Sequence, residues 1–274
     1  MKLTRTRILA ECAILLSFAT VLSLFKIVDL PYGGSVTVAS MLPVAIIAYR
    51  HGLGYGLLSG ALYGVVQQLL GLKTLSYVTT WQSILAVILL DYVVAFMVIG
   101  VAGIFRKPVG NQAAALTLGA LLACLLRYAC HVISGATVWA GLSIPTAGAL
   151  IYSFAYNATY MLPETIVLAA AAYYIGSSLD FTAAEPVRIV RRKANVKSAI
   201  FAAIGGLFLT AALTVDVAAI FRELQNAETG EWNLAGLASV NWILVAAASA
   251  AGACGAAVFF LLAGKARAKE TQSE

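Results

Sequence analysis

Long apolar segments with almost no charge constrain this chain more than any other feature. Of its 274 residues, 61% are hydrophobic and only 11% are charged, whereas soluble domains carry about a quarter charged residues. A helix that crosses a bilayer needs roughly 20 mostly apolar residues. The chain offers candidate spans at residues 7–28, 35–50, 52–71, 80–105, 112–140, 148–177, 197–220 and 236–264. The sequence therefore predicts an all-α integral membrane protein with eight spans, and it excludes a soluble or disordered chain.

The basic residues predict the orientation of these spans. Of the 18 Lys and Arg residues, 14 lie before span one, after span eight, or in the loops after spans two, four and six. Cytoplasmic loops carry an excess of Lys and Arg, so both termini are expected in the cytoplasm. The pI near 9.2 thus indicates topology and gives no reason to expect a nucleic-acid partner.

A polar stretch divides the chain into parts. We expect a six-span core at residues 1–178, a basic cytoplasmic linker at 179–196, a two-span C-terminal extension at 197–264 and a polar tail at 265–274. The halves show no internal repeat, which argues against an inverted-repeat transporter.

Span three carries a glycine every fourth residue. Such a stripe lets a second helix approach closely, and we expect it to pack inside the bundle rather than at a dimer face. The stripe consists of Gly52, Gly56, Gly60 and Gly64.

A few ionisable side chains lie at membrane depth, where they are costly and often functional. Asp91 lies in span four, while Arg127 and His131 are four residues apart in span five and share a face. Asn157 and Glu164 share a face of span six. Each also has an ordinary interpretation, because Arg127 can form a structural ion pair with either carboxylate and a histidine can be a satisfied core residue.

Together with nearby aromatic residues, these groups suit a flat, cationic heteroaromatic ligand. Aromatic faces favour positive charge, a carboxylate neutralises it, and amide, phenol and imidazole groups can bind ring nitrogens and an amino group. The chain has no phosphate-binding loop for ATP. With two histidines, neither a metal site nor a cofactor is expected.

The blocks that contain these polar residues resemble a known family. They are RILAECAILLSFATVLSL, YGG, AYRHGLGYGLLSGALYG, LLDYVVAFMVIGVAGIFRK, LLRYACHVISGATVW and ALIYSFAYNAT. In order and spacing, residues 1–178 resemble the thiamine-specific substrate-binding (S) component of energy-coupling factor (ECF) vitamin transporters. The last two spans lie outside the resemblance.

The resemblance implies a protein of the prokaryotic plasma membrane that captures thiamine from outside with high affinity and is not an enzyme. A transmembrane coupling subunit, docked on Ala13 and Ser17, and two cytoplasmic ATPases would complete the importer. The family's usual glutamate is an aspartate here, which shortens the carboxylate by one methylene. The implied ligand-binding residues are Asp91, Tyr92, His131, Trp139, Tyr152, Asn157 and Tyr63.

Three alternatives stay open at this point. Asp91, His131 and Glu164 could act as acid-base groups of an intramembrane enzyme, or with Arg127 as the relay of a stand-alone proton-coupled carrier. The ligand could also be a related pyrimidine or thiazole precursor. Under the S-component interpretation, Arg127 and Glu164 are expected to form a supporting ion pair.

Overall fold

The computed structural model describes residues 4–30, 33–78, 80–139, 147–189, 196–224 and 234–272. The chain is mostly helical and divides into two compact units, residues 1–190 and 191–274.

In its described residues, the first unit contains six main helices and a short 3₁₀ helix at Leu72–Tyr77. Side-chain caps start three of the main helices: Thr4, Thr80 and Asn111 accept hydrogen bonds from backbone N–H groups in the first turns of the helices that begin at Arg5, Trp81 and Gln112. These N–H groups have no partner within the helix, so the caps stabilise its start. The helices are α1 (Arg5–Leu24), α2 (Leu42–His51), α3 (Leu53–Leu70), α4 (Trp81–Arg106), α5 (Gln112–Thr137) and α6 (Ala147–Ser178).

Helix α4 is not a regular α-helix throughout. Its middle, Ile88–Val94, is π-helical, and its end, Val98–Arg106, is a 3₁₀-helix. A π turn widens the helix and often marks a functional site. Asp91 lies within this wide turn.

Four helices of the described residues are long and apolar enough to cross a membrane. They are Arg5–Leu24, Trp81–Arg106, Gln112–Thr137 and Trp242–Ala266. The expectation of a multi-pass, mostly helical membrane protein is thereby confirmed.

A β-hairpin replaces the helical ends predicted for spans one and two. Strand β1 (Lys26–Asp29) pairs antiparallel with β2 (Ser35–Thr37). Gly33 and Gly34 have φ values of 100° and 91°, in the region that favours glycine, and they turn the chain between the strands. The all-α prediction is therefore wrong at this hairpin.

Gly56, Gly60 and Gly64 of the glycine stripe pack inside the first unit, as expected, whereas Gly52 precedes α3 and a β-carbon there would meet nothing within 4 Å. A β-carbon on Gly60 or Gly64 would collide with the backbone oxygen of Phe96 or Tyr92 in α4. These glycines let α3 and α4 touch backbone to backbone, which fixes the position of the π turn.

The start of the predicted linker folds back onto the core, and we call residues 179–189 the clasp. Strands β3 (Leu179–Asp180) and β4 (Val187–Arg188) pair within it. The buried guanidinium of Arg50 donates to the Phe181 carbonyl at 2.7 Å and forms an ion pair with Glu11 of α1 at 2.6 Å. Residues 190–195 of the predicted linker lie outside the described residues.

The second unit contains α7 (Val196–Leu224), a 3₁₀ turn (Leu234–Ala238) and α8 (Trp242–Gln272). Gly252 and Gly255 lie against Ala212 and Phe208, so small residues again allow two helices to approach closely.

Candidate ligand-binding site

A cavity of about 770 Å³ lies in the first unit. The β1–β2 hairpin, the end of α3, the 3₁₀ segment Leu72–Tyr77 and helices α4, α5 and α6 all contribute to its wall. Most of the residues expected at the site line it, namely Asp91, Tyr92, Arg127, His131, Trp139, Tyr152, Asn157 and Glu164.

The Asp91 carboxylate is the centre of a hydrogen-bond cluster. One oxygen, Oδ1, lies 2.9 Å from His131 Nδ1. The other, Oδ2, accepts from Ser134 Oγ at 2.5 Å and from Trp139 Nε1 at 3.0 Å. Asp91 is only 8% exposed. Three donors thus compensate the burial of this charge, which would otherwise be expensive.

The Asp91 contact fixes the hydrogen-bonding role of His131. Because a carboxylate only accepts, the neutral imidazole carries its proton on Nδ1. Nε2 is then an acceptor, and it has no hydrogen-bond partner within the described part of the chain. The histidine can therefore accept a hydrogen bond from a group that enters the cavity.

Asn157 ties α6 to α5 beside this cluster. Its amide nitrogen donates to the Ser153 carbonyl at 2.8 Å and to the His131 carbonyl at 3.3 Å. Its oxygen accepts from Tyr160 Oη at 2.6 Å. The Tyr152 and Tyr156 rings are stacked on the same helix, 6.0 Å apart, and supply a flat aromatic surface.

The prediction of an ion pair between Arg127 and Glu164 is wrong. The Arg127 guanidinium lies over the Phe96 ring, 4.2 Å from its centre, and donates to Met41 Sδ at 3.1 Å. Glu164 instead accepts from the Thr37 backbone N–H at 2.6 Å and from its hydroxyl at 2.8 Å. These donors satisfy the carboxylate, so Glu164 anchors strand β2 rather than the arginine.

Tyr63 does not line the cavity. Its side chain is fully buried, packs edge-on against Phe96 and donates to the Ala19 carbonyl at 3.3 Å. Tyr63 therefore joins α3 to α1 and does not form the aromatic wall expected of it.

The two residues expected to dock a partner lie on the outer surface of α1. Ala13 and Ser17 are both exposed, and the serine hydroxyl donates to the Ala13 carbonyl at 2.9 Å. This face presents small side chains to the surroundings of the first unit.

Two sets of residues at the site were not predicted. Ser134 lies behind the cavity wall and donates to Asp91; it comes three residues after His131 and so shares its face. The strand residues that line the cavity, including Ser35 and Thr37, lie in a segment whose composition also fits the start of a helix.

Residues 9–182 match the thiamine transporter protein family. The thiamine transporter ThiT of Bacillus subtilis strain 168 is 37% identical over 172 residues, which cover 59% of this chain and 85% of that protein.

A solved structure of ThiT from Listeria monocytogenes superposes with a TM-score of 0.50 at 25% identity. The match covers 63% of this chain and 94% of that chain. The family match takes in α1 to α6 and the first clasp residues, and it ends before the second unit. The chain therefore belongs to the thiamine transporter protein family.

Proposed function

We propose that this chain is the thiamine-binding subunit of an ECF-type importer, driven by ATP hydrolysed on partner subunits. The observation that carries the proposal is the Asp91 cluster, a fixed carboxylate inside a cavity with aromatic walls. The B. subtilis relative, a thiamine transporter by name, and the L. monocytogenes protein that shares the name ThiT support it.

The charges deep in the cavity favour a cationic ligand. In the deep part of the cavity, the described lining residues include two carboxyl groups, Asp91 and Glu164, and one guanidinium, Arg127, so one negative charge is uncompensated when both carboxyl groups are ionised. The other charged residues of the cavity wall, Lys26, Asp29 and Lys73, are exposed, and Lys26 pairs with Asp29 at 3.0 Å. A thiazolium ring carries one positive charge, so its entry would neutralise the deep part of the cavity.

The hydrogen-bonding groups suit the second ring of thiamine. His131 Nε2 offers an acceptor to the exocyclic amino group of an aminopyrimidine. Trp139 and Tyr152 provide aromatic faces for stacking and for the cationic ring. Three donors already engage Asp91, so we assign it the role of a fixed charge rather than a direct hydrogen-bond partner of the pyrimidine.

The proposed assembly follows the orientation predicted by the basic residues. Eight spans with cytoplasmic termini in a prokaryotic plasma membrane would direct the β1–β2 hairpin and the cavity outward. Ala13 and Ser17 on α1 would contact the coupling subunit, which in turn would bind two ATPases.

Binding by the purified full-length chain tests the ligand. We expect thiamine to bind tightly and saturably and to quench tryptophan fluorescence, with Trp139 as a reporter. The isolated pyrimidine and thiazole halves should bind far more weakly. Failure of micromolar thiamine to bind would refute the proposal, and a preference for one half would favour a precursor as the ligand.

Reconstituted vesicles test the coupling. We expect uptake of thiamine only when the chain is combined with a coupling subunit, two ATPases and ATP. Uptake by the chain alone, driven by a pH gradient, would instead show a proton-coupled carrier.

A further inference from the structure

We infer that Ser134 is a positioning residue that holds the Asp91 carboxylate and gives the cavity its preference for a positive charge. This inference rests on the proposed function, in which Ser134 does not contact the ligand.

The contact geometry singles out Ser134 among the donors to Asp91. Its Oγ lies 2.5 Å from Oδ2, closer than Trp139 Nε1 or His131 Nδ1 to their acceptor oxygens. The side chain is completely buried. A hydrogen bond from a hydroxyl to an ionised carboxylate is roughly twice as strong as one between neutral groups.

The local sequence places this hydroxyl where it is needed. Ser134 lies one helical turn after His131, so both side chains reach the same carboxylate. The next residue, Gly135, lets α6 approach so closely that a β-carbon there would collide with Ser153. This close packing of α6 against α5 buries Ser134 and keeps its hydroxyl on Asp91.

The consequence for binding is electrostatic preorganisation. With Oδ2 held by two donors and Oδ1 by one, the carboxylate keeps its orientation when a cation arrives, and little reorganisation is required. Without the serine hydroxyl, Oδ2 keeps only the Trp139 donor, so the carboxylate is held less firmly and its negative charge is less well stabilised. The affinity for a cationic ligand therefore falls, whereas the affinity for a neutral ligand of the same shape does not.

The test compares two ligands in the Ser134→Ala variant of the full-length chain. One ligand is thiamine, and the other is its neutral isostere with a thiophene ring in place of the thiazolium. We expect the thiamine Kd to rise about 10-fold, the usual effect of losing a hydrogen bond to a charged group. The Kd of the isostere should change by less than about twofold, since it makes no use of the charge.

Thr137→Val is the matched control. Thr137 is half-buried on the same helix, and among the described residues its hydroxyl donates to the Ile133 carbonyl at 2.6 Å and makes no contact with Asp91. Its removal should leave both affinities unchanged.

An equal loss of affinity for both ligands would overturn the inference, because it would show that Ser134 acts through packing alone. An unchanged thiamine Kd would overturn it as well. If wild-type protein fails to bind thiamine, the proposed function fails and takes this inference with it. If wild type binds and only the variant comparison fails, the proposed function stands.

Discussion

Replacing Asp91 with asparagine should remove a charge and also reverse the hydrogen-bonding role of His131. An amide has one acceptor oxygen and one donor nitrogen, while the Trp139 indole can only donate. The amide oxygen must therefore face Trp139 and Ser134, which turns the amide N–H toward His131 Nδ1. The imidazole then carries its proton on Nε2 and presents a donor to the cavity, where wild type presents an acceptor.

The size of the effect follows from these two changes. At about 5 Å and an effective dielectric constant of about 20, the loss of one unit charge costs about 3 kcal/mol of attraction for a cation. The lost hydrogen bond from a ligand amino group to Nε2 adds about 1 kcal/mol. Thiamine binding by Asp91→Asn should therefore be weaker by about three orders of magnitude.

Isothermal titration calorimetry on purified variants measures the affinities. The chain has two histidines, so the ¹⁵N shifts of His131 can be assigned and its tautomer read directly. Asp29→Asn is the matched control, because Asp29 also lines the cavity but already pairs with Lys26 at 3.0 Å. A folded Asp91→Asn protein that binds thiamine within about threefold of wild type would refute the assigned role, since that ratio is under 1 kcal/mol.

Three further predictions concern packing, charge and docking. Gly64→Leu should lower the midpoint of thermal unfolding in detergent, because its side chain would overlap the α4 backbone; Gly54→Ala, in open space, should not. Arg50→Met leaves Glu11 without its guanidinium partner and should lower the free energy of unfolding by about 3–5 kcal/mol. Adding Glu11→Leu should restore part of this stability, and a double variant no more stable than Arg50→Met would contradict the ion-pair explanation. Ala13→Trp should spare thiamine affinity but abolish ATP-driven uptake in vesicles, and undiminished uptake would exclude this face as the docking surface.

The sequence predicted the helical framework well because bilayer thickness imposes a minimum length on apolar runs. It failed at the β1–β2 hairpin, where Ile27, Val28 and Val36 are as apolar in a strand as in a helix. Only the adjacent Gly33 and Gly34 indicated a turn. The π turn around Asp91 has no signal in a single sequence, since it depends on how α3 and α5 pack against α4.

The candidate site was predictable to the extent that unusual residues in a membrane attract attention. Asp91 and His131 stood out because they are ionisable at depth. Their mutual contact depends on tertiary packing and could not be derived from spacing. Charge alone predicts an ion pair between Glu164 and Arg127. In the structure, the backbone N–H and the hydroxyl of Thr37 satisfy the Glu164 carboxylate instead, and Thr37 belongs to strand β2, which the sequence did not predict.

The clasp has a practical consequence for anyone who shortens this protein. The family match ends at residue 182, which suggests a cut there to isolate the core. Such a cut would remove Ala183 and Ala184, whose carbonyls accept from Arg50, and strand β4, the partner of β3. The natural boundary of the first unit therefore lies after Ile189, whose N–H bonds back to the Ser178 carbonyl at 2.8 Å, several residues beyond the point where sequence similarity stops.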